Sequence, residues 1–478
     1  MKWIATIFLA LVAIITLYAQ HTPKLSDVSP SYHLAIAIDF LQKIDPSERP
    51  YIRFLSSYNY QENEKELAEL LNINKFWLNQ LHRESDIEFS KEVPNTNNLL
   101  HLIDIRDYGW TDKAWLSAIK NEPYFNDSNQ LIIARTDWFI RETSDQDRSD
   151  AYFDLIFAKE RFNSGSKRVD IDWKGGEYNG EYLKPGKYYY TTSDVKSFPN
   201  NEADFEKTFG VNLIRQFIKE TKLNLQRGAV VEGGEKGVSI VARHNRLIER
   251  TEGPIGWYYK TYDVKESTGK RDFAETLQKD FEFDAGEILA RLPAGGQMGL
   301  LVDSKGKILA TADNRFANDS SDYKFDTRVR NYTSCAVCHS SGIIKPENLI
   351  EDMLKSGIDI KFKNKKDARD ARSFFLNWDR KLAGDQGEFA DFIKRTSGFT
   401  PDQNSLIFKK VRDKYDSPVT LEIAAKELGV SIDMFKRLGA RSTKARILML
   451  VQGKSIPRRT WESDAYKEMT KLLNADRK

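Results

Sequence analysis

Both cysteines of this 478-residue chain fall inside one five-residue stretch, Cys335-Ala-Val-Cys338-His339. No thiol remains to staple one distant part of the chain to another, so a disulfide framework and a four-cysteine zinc site are both excluded. Such a chain must hold its fold by burial and polar pairing alone. With 40% hydrophobic and 12% aromatic residues it has the means, and it is long enough for two or three cores. The same composition excludes a disordered chain, a collagen-like repeat and a coiled-coil rod. Seventy-three basic side chains against 70 acidic ones leave a net charge of +3, and no local basic cluster dominates. A nucleic-acid partner is therefore not expected.

The N-terminus sets an expected compartment. Met1-Lys2 precedes an uncharged apolar run from Trp3 to Ala19, which reads as a secretory signal over residues 1–19. Ala19 suits the last position before cleavage, although Leu17 is larger than that rule prefers. An uncleaved membrane anchor is the alternative, the run being slightly short of the roughly 20 residues of a spanning helix. Both readings put the body outside the cytoplasmic membrane, in the periplasm or beyond, because Lys2 stays inside.

Periodicity divides the rest into a polar, partly helical segment (20–95), an α+β domain (96–330) and a mainly helical domain (331–478). Lys65–Leu71 carries the clearest helical pattern of the first segment. Leu99–Arg106 alternates as a strand, and helical spacing follows over 111–120, 130–142, 150–162 and 203–222. Trp115, Trp138, Phe139, Phe153 and Ile156 are the expected core. Residues 163–200, rich in Gly, Tyr, Lys and Ser, suit a long excursion or a small β element. Strands are expected at 237–243 and 256–262, with a hairpin over 299–311 turning at Gly306. Helical patterns at Leu421, Ala424, Ala425 and Leu428, and at Ile447, Leu448 and Leu450, mark the C-terminal part. The expected fold class is therefore α+β.

C-x-x-C-H is the motif that carries chemistry. Two thiols on one turn entering a helix can add to the two vinyl groups of a haem, and the adjacent imidazole then meets the iron. His339 would be the proximal ligand and Cys335 and Cys338 the covalent anchors of one haem c. Three other readings compete. A zinc half-site needs two further ligands, and the remaining histidines, at 21, 33, 82, 101 and 244, are scattered. A dithiol redox motif suits an exported chain, but residues 330–334 are not the apolar strand of a βαβ unit. A disulfide across two residues is strained. Haem attachment is the favoured reading, and export agrees with it, since bacterial haem c maturation takes place outside the cytoplasmic membrane.

For the sixth coordination position Met353, 14 residues beyond His339, is the tentative distal ligand. It also fits an apolar helix face with Leu349, Ile350 and Leu354. Met434, Met449 and Met298, the last on an expected turn, are further candidates. Arg328 and Arg330 are candidate partners of haem propionates. Lys361, Lys363, Lys365, Lys366, Arg369 and Arg372 form either a docking face for an acidic redox partner or a solvated helix side. Asp104, Arg106 and Asp107 suit structural ion pairs at a strand end. Arg243–Arg246 with Glu249 and Arg250 is a polar cluster with a possible binding role. Residues 20–330 contain no nucleophile elbow, phosphate loop or metal-spaced histidines.

Several phrases together resemble a family of exported bacterial proteins that carry one c-type cytochrome domain. They are Ile103-Asp-Ile-Arg-Asp-Tyr-Gly-Trp110, Asn245-Arg-Leu-Ile-Glu-Arg250, Gly286-Glu-Ile288 with Leu292-Pro293 and Gln297, the hairpin from 299, Cys335–His339 with Ser341-Gly-Ile-Ile344, and Val419-Thr-Leu421 with Ala424–Gly429. The resemblance covers most of residues 95–460. It implies haem c on Cys335 and Cys338 with His339 on the iron, and lends neither a substrate nor a reaction. The family has a histidine after the Glu-Arg pair where this chain has Thr251.

The expectation is an exported monohaem c-type cytochrome. It would pass single electrons between a redox partner protein, or a small-molecule donor or acceptor, and an external acceptor. A haem enzyme or ligand sensor with an open sixth position, and a haem-free thiol oxidoreductase, are the alternatives.

Overall fold

The computed structural model describes residues 29–82, 85–125, 132–144, 155–156, 169–173, 176–178, 181–183, 186–190, 201–211, 213, 226–230, 245–265, 282–309, 311, 335, 339–344 and 378–476. It combines helices and sheets, an α+β architecture. Helix α1 (Pro30–Lys43), capped by Ser29, leads into strand β1 (Ile52–Ser56) and helix α2 (Glu64–Gln80). Then come β2 (Lys91–Glu92), β3 (Leu100–Asp104), α3 (Asp112–Ile119), β4 (Ile133–Arg135) and α4 (Thr136–Thr143). These strands form a sheet of order β2-β3-β1-β4, antiparallel except for the β1–β4 pair. Every residue of β1 is buried, as befits a strand covered on both faces.

Two small antiparallel pairs follow: β5 (Val169–Trp173) with β8 (Gly186–Tyr190), and β6 (Gly176–Tyr178) with β7 (Glu181–Leu183). Helix α5 (Glu202–Phe209) is capped by Asn201 and stops at Gly210, whose φ of 65° is the left-handed conformation of a helix C-terminus. A five-stranded antiparallel meander comes next: β9 (Gln226–Val230), β10 (Arg246–Gly253), β11 (Gly256–Val264), β12 (Phe283–Arg291) and β13 (Gln297–Asp303), hydrogen-bonded in sequence order. The chain then becomes helical: α6 (Trp378–Thr396), α7 (Pro401–Asp416), α8 (Leu421–Leu428), α9 (Ile432–Gly439) and α10 (Ala445–Val451), with α11 (Tyr466–Asp476) after a π-helical segment. Thr400 and Gln403 make a reciprocal capping box at α7, with Pro401 in the first helical position.

The meander separates two environments. Because side chains alternate across a strand, Tyr258, Lys260 and Tyr262 of β11, Ile288 and Ala290 of β12, and Met298, Leu300 and Val302 of β13 share one face. Its apolar members Tyr258, Ile288, Ala290, Met298, Leu300 and Val302 belong to a buried cluster that also takes in Ala37, Phe54, Trp77, Trp138, Phe408, Trp461 and Leu473. The opposite face carries Ile248, Trp257, Tyr259 and Leu289, covered by Trp378 and Leu382 of α6. Gly228 lets Trp378 lie flat against β9, since a Cβ there would stand 2.6 Å from the indole. Arg250 fixes α6 with a two-pronged pair to Asp385 (2.6 and 2.7 Å).

Most expected elements are present. The strand at 99–106 is β3, the hairpin turns at Gly306 with φ 77°, and Trp115, Trp138, Phe139 and Ile156 are buried. Four expectations change, the first being that the helix expected over 203–222 ends at Phe209, where Gly210 takes the left-handed conformation. The helix expected over 130–142 starts at Thr136, because 133–135 instead pairs in parallel with β1. The polar first segment supplies β1, one of the two interior strands of its sheet. Met298 is not on a turn: it is fully buried within β13 and faces the main core. Phe153 and residues 1–19 and 237–243 lie outside the described residues. Among the described residues no helix is long and apolar enough to cross a membrane.

Candidate functional site

Cys335 and His339 sit on one helical turn, with the His339 amide donating to the Cys335 carbonyl at 2.8 Å. Residues four apart on such a turn share a face, so thiol and imidazole are brought to the same side. They sit over the second face of the meander. Cys335 packs directly on Gly299 of β13, where a Cβ would come within 2.7 Å of its own Cβ and 3.0 Å of its sulfur. The turn closes through Gly342 at φ 113°, against the ring of Phe389.

The turn is fastened from four directions. Gln297 of β13 donates its side-chain amide to the His339 carbonyl, while Gln80 of α2 brackets the Gln297 backbone, donating to its carbonyl and accepting from its amide at 3.2 Å. Asn404 of α7 donates to the Ser340 carbonyl at 3.1 Å, and Ser340 donates to Ser405 at 2.8 Å. Gln386 of α6 donates to the Ile343 carbonyl at 2.8 Å. Backbone groups of an irregular turn are thus satisfied by side chains of regular elements.

His339 is oriented at both nitrogens. Nδ1 lies 3.1 Å from the Gly342 carbonyl, which can only accept, so Nδ1 carries a proton. Nε2 points the other way, 3.4 Å from Oε1 of Glu287 on β12. Glu287 is gripped in turn. Its amide donates to Thr261 Oγ1 at 2.8 Å, Arg246 Nη1 stands 3.7 Å from Oε2, and the Cys335 thiol also hydrogen-bonds to this carboxylate. Arg246 is itself held by Asp263 through bonds of 2.6 and 3.2 Å. Burial opposes charge on Glu287, but the His339 and Arg246 charges and the hydrogen bonds it accepts outweigh this and bring its pKa down to about 2. Burial likewise opposes a charged His339, and the facing Glu287 carboxylate raises its pKa nonetheless.

Beside Cys335 and His339 lies a hollow of about 290 Å³, part of it open to solvent, lined also by Phe76, Trp77, Leu289 and Phe389, with Gln80, Gln297 and Ser340 as its polar members. The donor set fits a haem c. The thiol and imidazole share one side of a turn, Nδ1 is bonded to a backbone carbonyl as in a ligating histidine, Nε2 faces Glu287, and apolar walls stand nearby. The hollow, its open part included, falls below the usual volume of ligand pockets, so a macrocycle would have to lie largely outside it. Among the described residues no group of three or more His, Cys, Asp or Glu is placed to hold a metal ion by itself.

Of the candidates from sequence, Cys335 and His339 are brought together here. Cys338, Met353, Arg328, Arg330 and the lysine-rich run at 361–372 lie outside the described residues. Met298 faces away from the turn, on the opposite side of the meander, which removes it as an axial ligand. Met434 and Met449 pack against the main core. Arg106 pairs with Asp104 at 2.5 Å and with Glu48, a structural ion pair at a strand end. In the cluster at 243–250, Arg246, Glu249 and Arg250 are consumed by Asp263, Tyr262 and Asp385. Arg243 and His244 lie outside the described residues. Glu287 and Gln80 are the site residues to which motif reading gives no role, whereas Arg246 belongs to the polar cluster singled out at 243–250. Glu287 does leave a trace, an acid in mid-strand between Ala285-Gly286 and Ile288-Leu289-Ala290.

No family model matches the chain, and no curated protein or solved structure does so either.

Proposed function

We propose that the chain is an exported monohaem c-type cytochrome that carries single electrons, with residues 331–478 supplying the haem-binding part. The observation that supports this best is the shared turn of Cys335 and His339: it brings thiol and imidazole to one side, with the His339 Nδ1 proton committed to a backbone carbonyl, beside a hollow walled mainly by apolar side chains. Cys335 and Cys338 would anchor the haem and His339 would bind its iron. A bound haem supplies a one-electron couple whose potential follows from its axial ligands and surroundings. The chain's own residues orient the imidazole through Gly342, fix the turn through Gln297, Asn404 and Gln386, and shield one side with Phe76, Trp77 and Phe389. Donor and acceptor would be a partner protein or a small molecule outside the cytoplasm.

Expression of the full chain in a host with a haem c maturation system tests this. The expected result is a haem absorbance that stays with the polypeptide after denaturation and acid-acetone extraction, and is lost in Cys335→Ala/Cys338→Ala. Protein recovered soluble and folded without covalent haem would overturn the reading in favour of the thiol oxidoreductase. Tight carbon monoxide binding by a reduced but otherwise stable holoprotein would identify an exchangeable sixth position.

A further inference from the structure

Among the described residues, the turn that carries Cys335 and His339 is joined to the fold by side chains. Its own backbone bonds are internal, from the His339 amide to the Cys335 carbonyl at 2.8 Å and from the Gly342 amide to the His339 carbonyl at 2.9 Å. Outward, Gln297 of β13 donates to the His339 carbonyl, Asn404 of α7 to that of Ser340 and Gln386 of α6 to that of Ile343. The strand and helices that bear these donors keep their own backbone bonds when the turn leaves. Lifting it therefore breaks a few side-chain bonds, which is the condition for local rather than global opening. What the turn covers is a thiol. Cys335 is 4% exposed and packs on Gly299, and its thiol and His339 Nε2 both meet Glu287. That carboxylate is a fixed point: β12 is paired on both sides, and Arg246, held by Asp263, stands at its second oxygen.

We propose that this turn is a gate over Cys335 and that Glu287 is its catch: docked, the turn holds the thiol against the sheet, and the sulfur becomes reactive only when the turn lifts as a unit. Held down, Cys335 is kept from oxidative pairing with Cys338. That reaction would join the two sulfurs and pass two electrons, with the two thiol protons, to an external disulfide, which becomes two thiols. The haem reading requires the same release, since no macrocycle has room between the docked turn and β13. The gate stands on the thiol alone and does not depend on that reading.

The test uses the full chain, made without haem maturation and fully reduced, labelled with excess iodoacetamide over a range of sub-denaturing urea. Each event forms a sulfur–carbon bond and releases iodide, the thiol proton passing to solvent, and peptide mass spectrometry counts Cys335 and Cys338 separately. Cys335 of the wild type is expected to react at least about a hundredfold more slowly than in the unfolded chain, with a urea slope well below that of global unfolding. Glu287→Ala is expected to speed Cys335 at least about tenfold, as loss of a bond to a charged group would, and to keep the small slope. Gln386→Ala, which removes an outward tie and touches neither thiol nor carboxylate, should speed it in the same sense. Circular dichroism of the same samples gives the global midpoint. A wild-type Cys335 that labels as fast as the unfolded chain overturns the gate. So does one whose urea slope equals that of global unfolding, which marks an ordinary core cysteine. A rate in Glu287→Ala that rises no more than its lost global stability explains overturns the catch. Should Glu287→Ala fail to fold, the wild-type slope and Gln386→Ala decide. None of these outcomes touches the haem reading, which is scored on the matured chain.

Discussion

At Gly299 the strand backbone touches the turn that carries Cys335 and His339, with no room for a methyl group between β13 and Cys335. Gly299→Ala should therefore push Cys335 off the sheet, costing about 1–3 kcal/mol as overpacking does and lowering the yield of covalent haem. Thermal unfolding and haem absorbance per polypeptide check both parts; an unchanged haem yield would show that the turn tolerates displacement. A second residue, far from the site, governs acid stability. His33 is buried with Nδ1 2.6 Å from Ser56 Oγ, and burial lowers its pKa from 6.5 to about 3. Between those values the unfolded chain takes up a proton that the native state refuses, so stability falls as pH drops through this window, with a slope of up to about 1.4 kcal/mol per pH unit. Urea unfolding at pH 7 and pH 4.5 should show a smaller loss for His33→Gln than for wild type. At this scale the sequence discloses Cys335 and His339, because their chemistry depends on residues within one turn. Glu287 and Gln80 are 52 and 259 positions away from His339, and only sheet register and helix packing bring them to it.

Elements that own their pattern can be read directly. Strand β3 alternates, α7 begins on its capping box, and the hairpin after β13 announces itself at Gly306. Strand β4 cannot be recognised this way: three residues are too few for a period, and its conformation is set by pairing with β1. Met298 was open to misreading for the opposite reason, since Gly295, Gly296 and Gly299 around it resemble a loop, whereas Gly296 and Gly299 answer to close contacts with Gln80 and Cys335. The Gln80–Gln297–His339 chain is what couples α2 to β13 and to the site turn. Gln297→Ala should leave the His339 carbonyl without its donor, with a loss of about 1–2 kcal/mol. Gln80→Ala should weaken the same connection from the other end. A double-mutant cycle followed by chemical denaturation should give a total smaller than the sum of the two; strict additivity would mean that the two glutamines act independently.

The whole molecule is joined by charge as well as by apolar burial. Glu427 of α8 lies between two buried guanidiniums, Arg135 of β4 at 2.9 Å and Arg458 at 2.7 Å, and also accepts from Trp461 at 2.7 Å and Tyr124 at 3.2 Å. Tyr58 donates to its backbone carbonyl at 3.0 Å. Segments from both ends of the chain thus meet at one carboxylate. Removing that charge leaves two arginines facing each other in a buried site, and Glu427→Gln should cost about 3–5 kcal/mol. The same geometry bears on the boundary near residue 331. Phe408 of α7 packs on Trp77 of α2 with ring centroids 5.1 Å apart, and Phe389 and Phe392 of α6 pack on Phe76 at 6.4 and 5.8 Å. The helices that follow the site turn therefore share their core with residues before 100. Residues 331–478 expressed alone would expose that apolar surface and leave Glu427 with Arg458 but without Arg135, Tyr124 or Tyr58. The fragment should lack a cooperative unfolding transition, by calorimetry and by near-ultraviolet circular dichroism, and, on the proposed haem reading, should fail to retain haem. A fragment that melts sharply and holds haem would show that the C-terminal helices carry a self-sufficient core, and that their contacts with Trp77 and Arg135 join two independent domains.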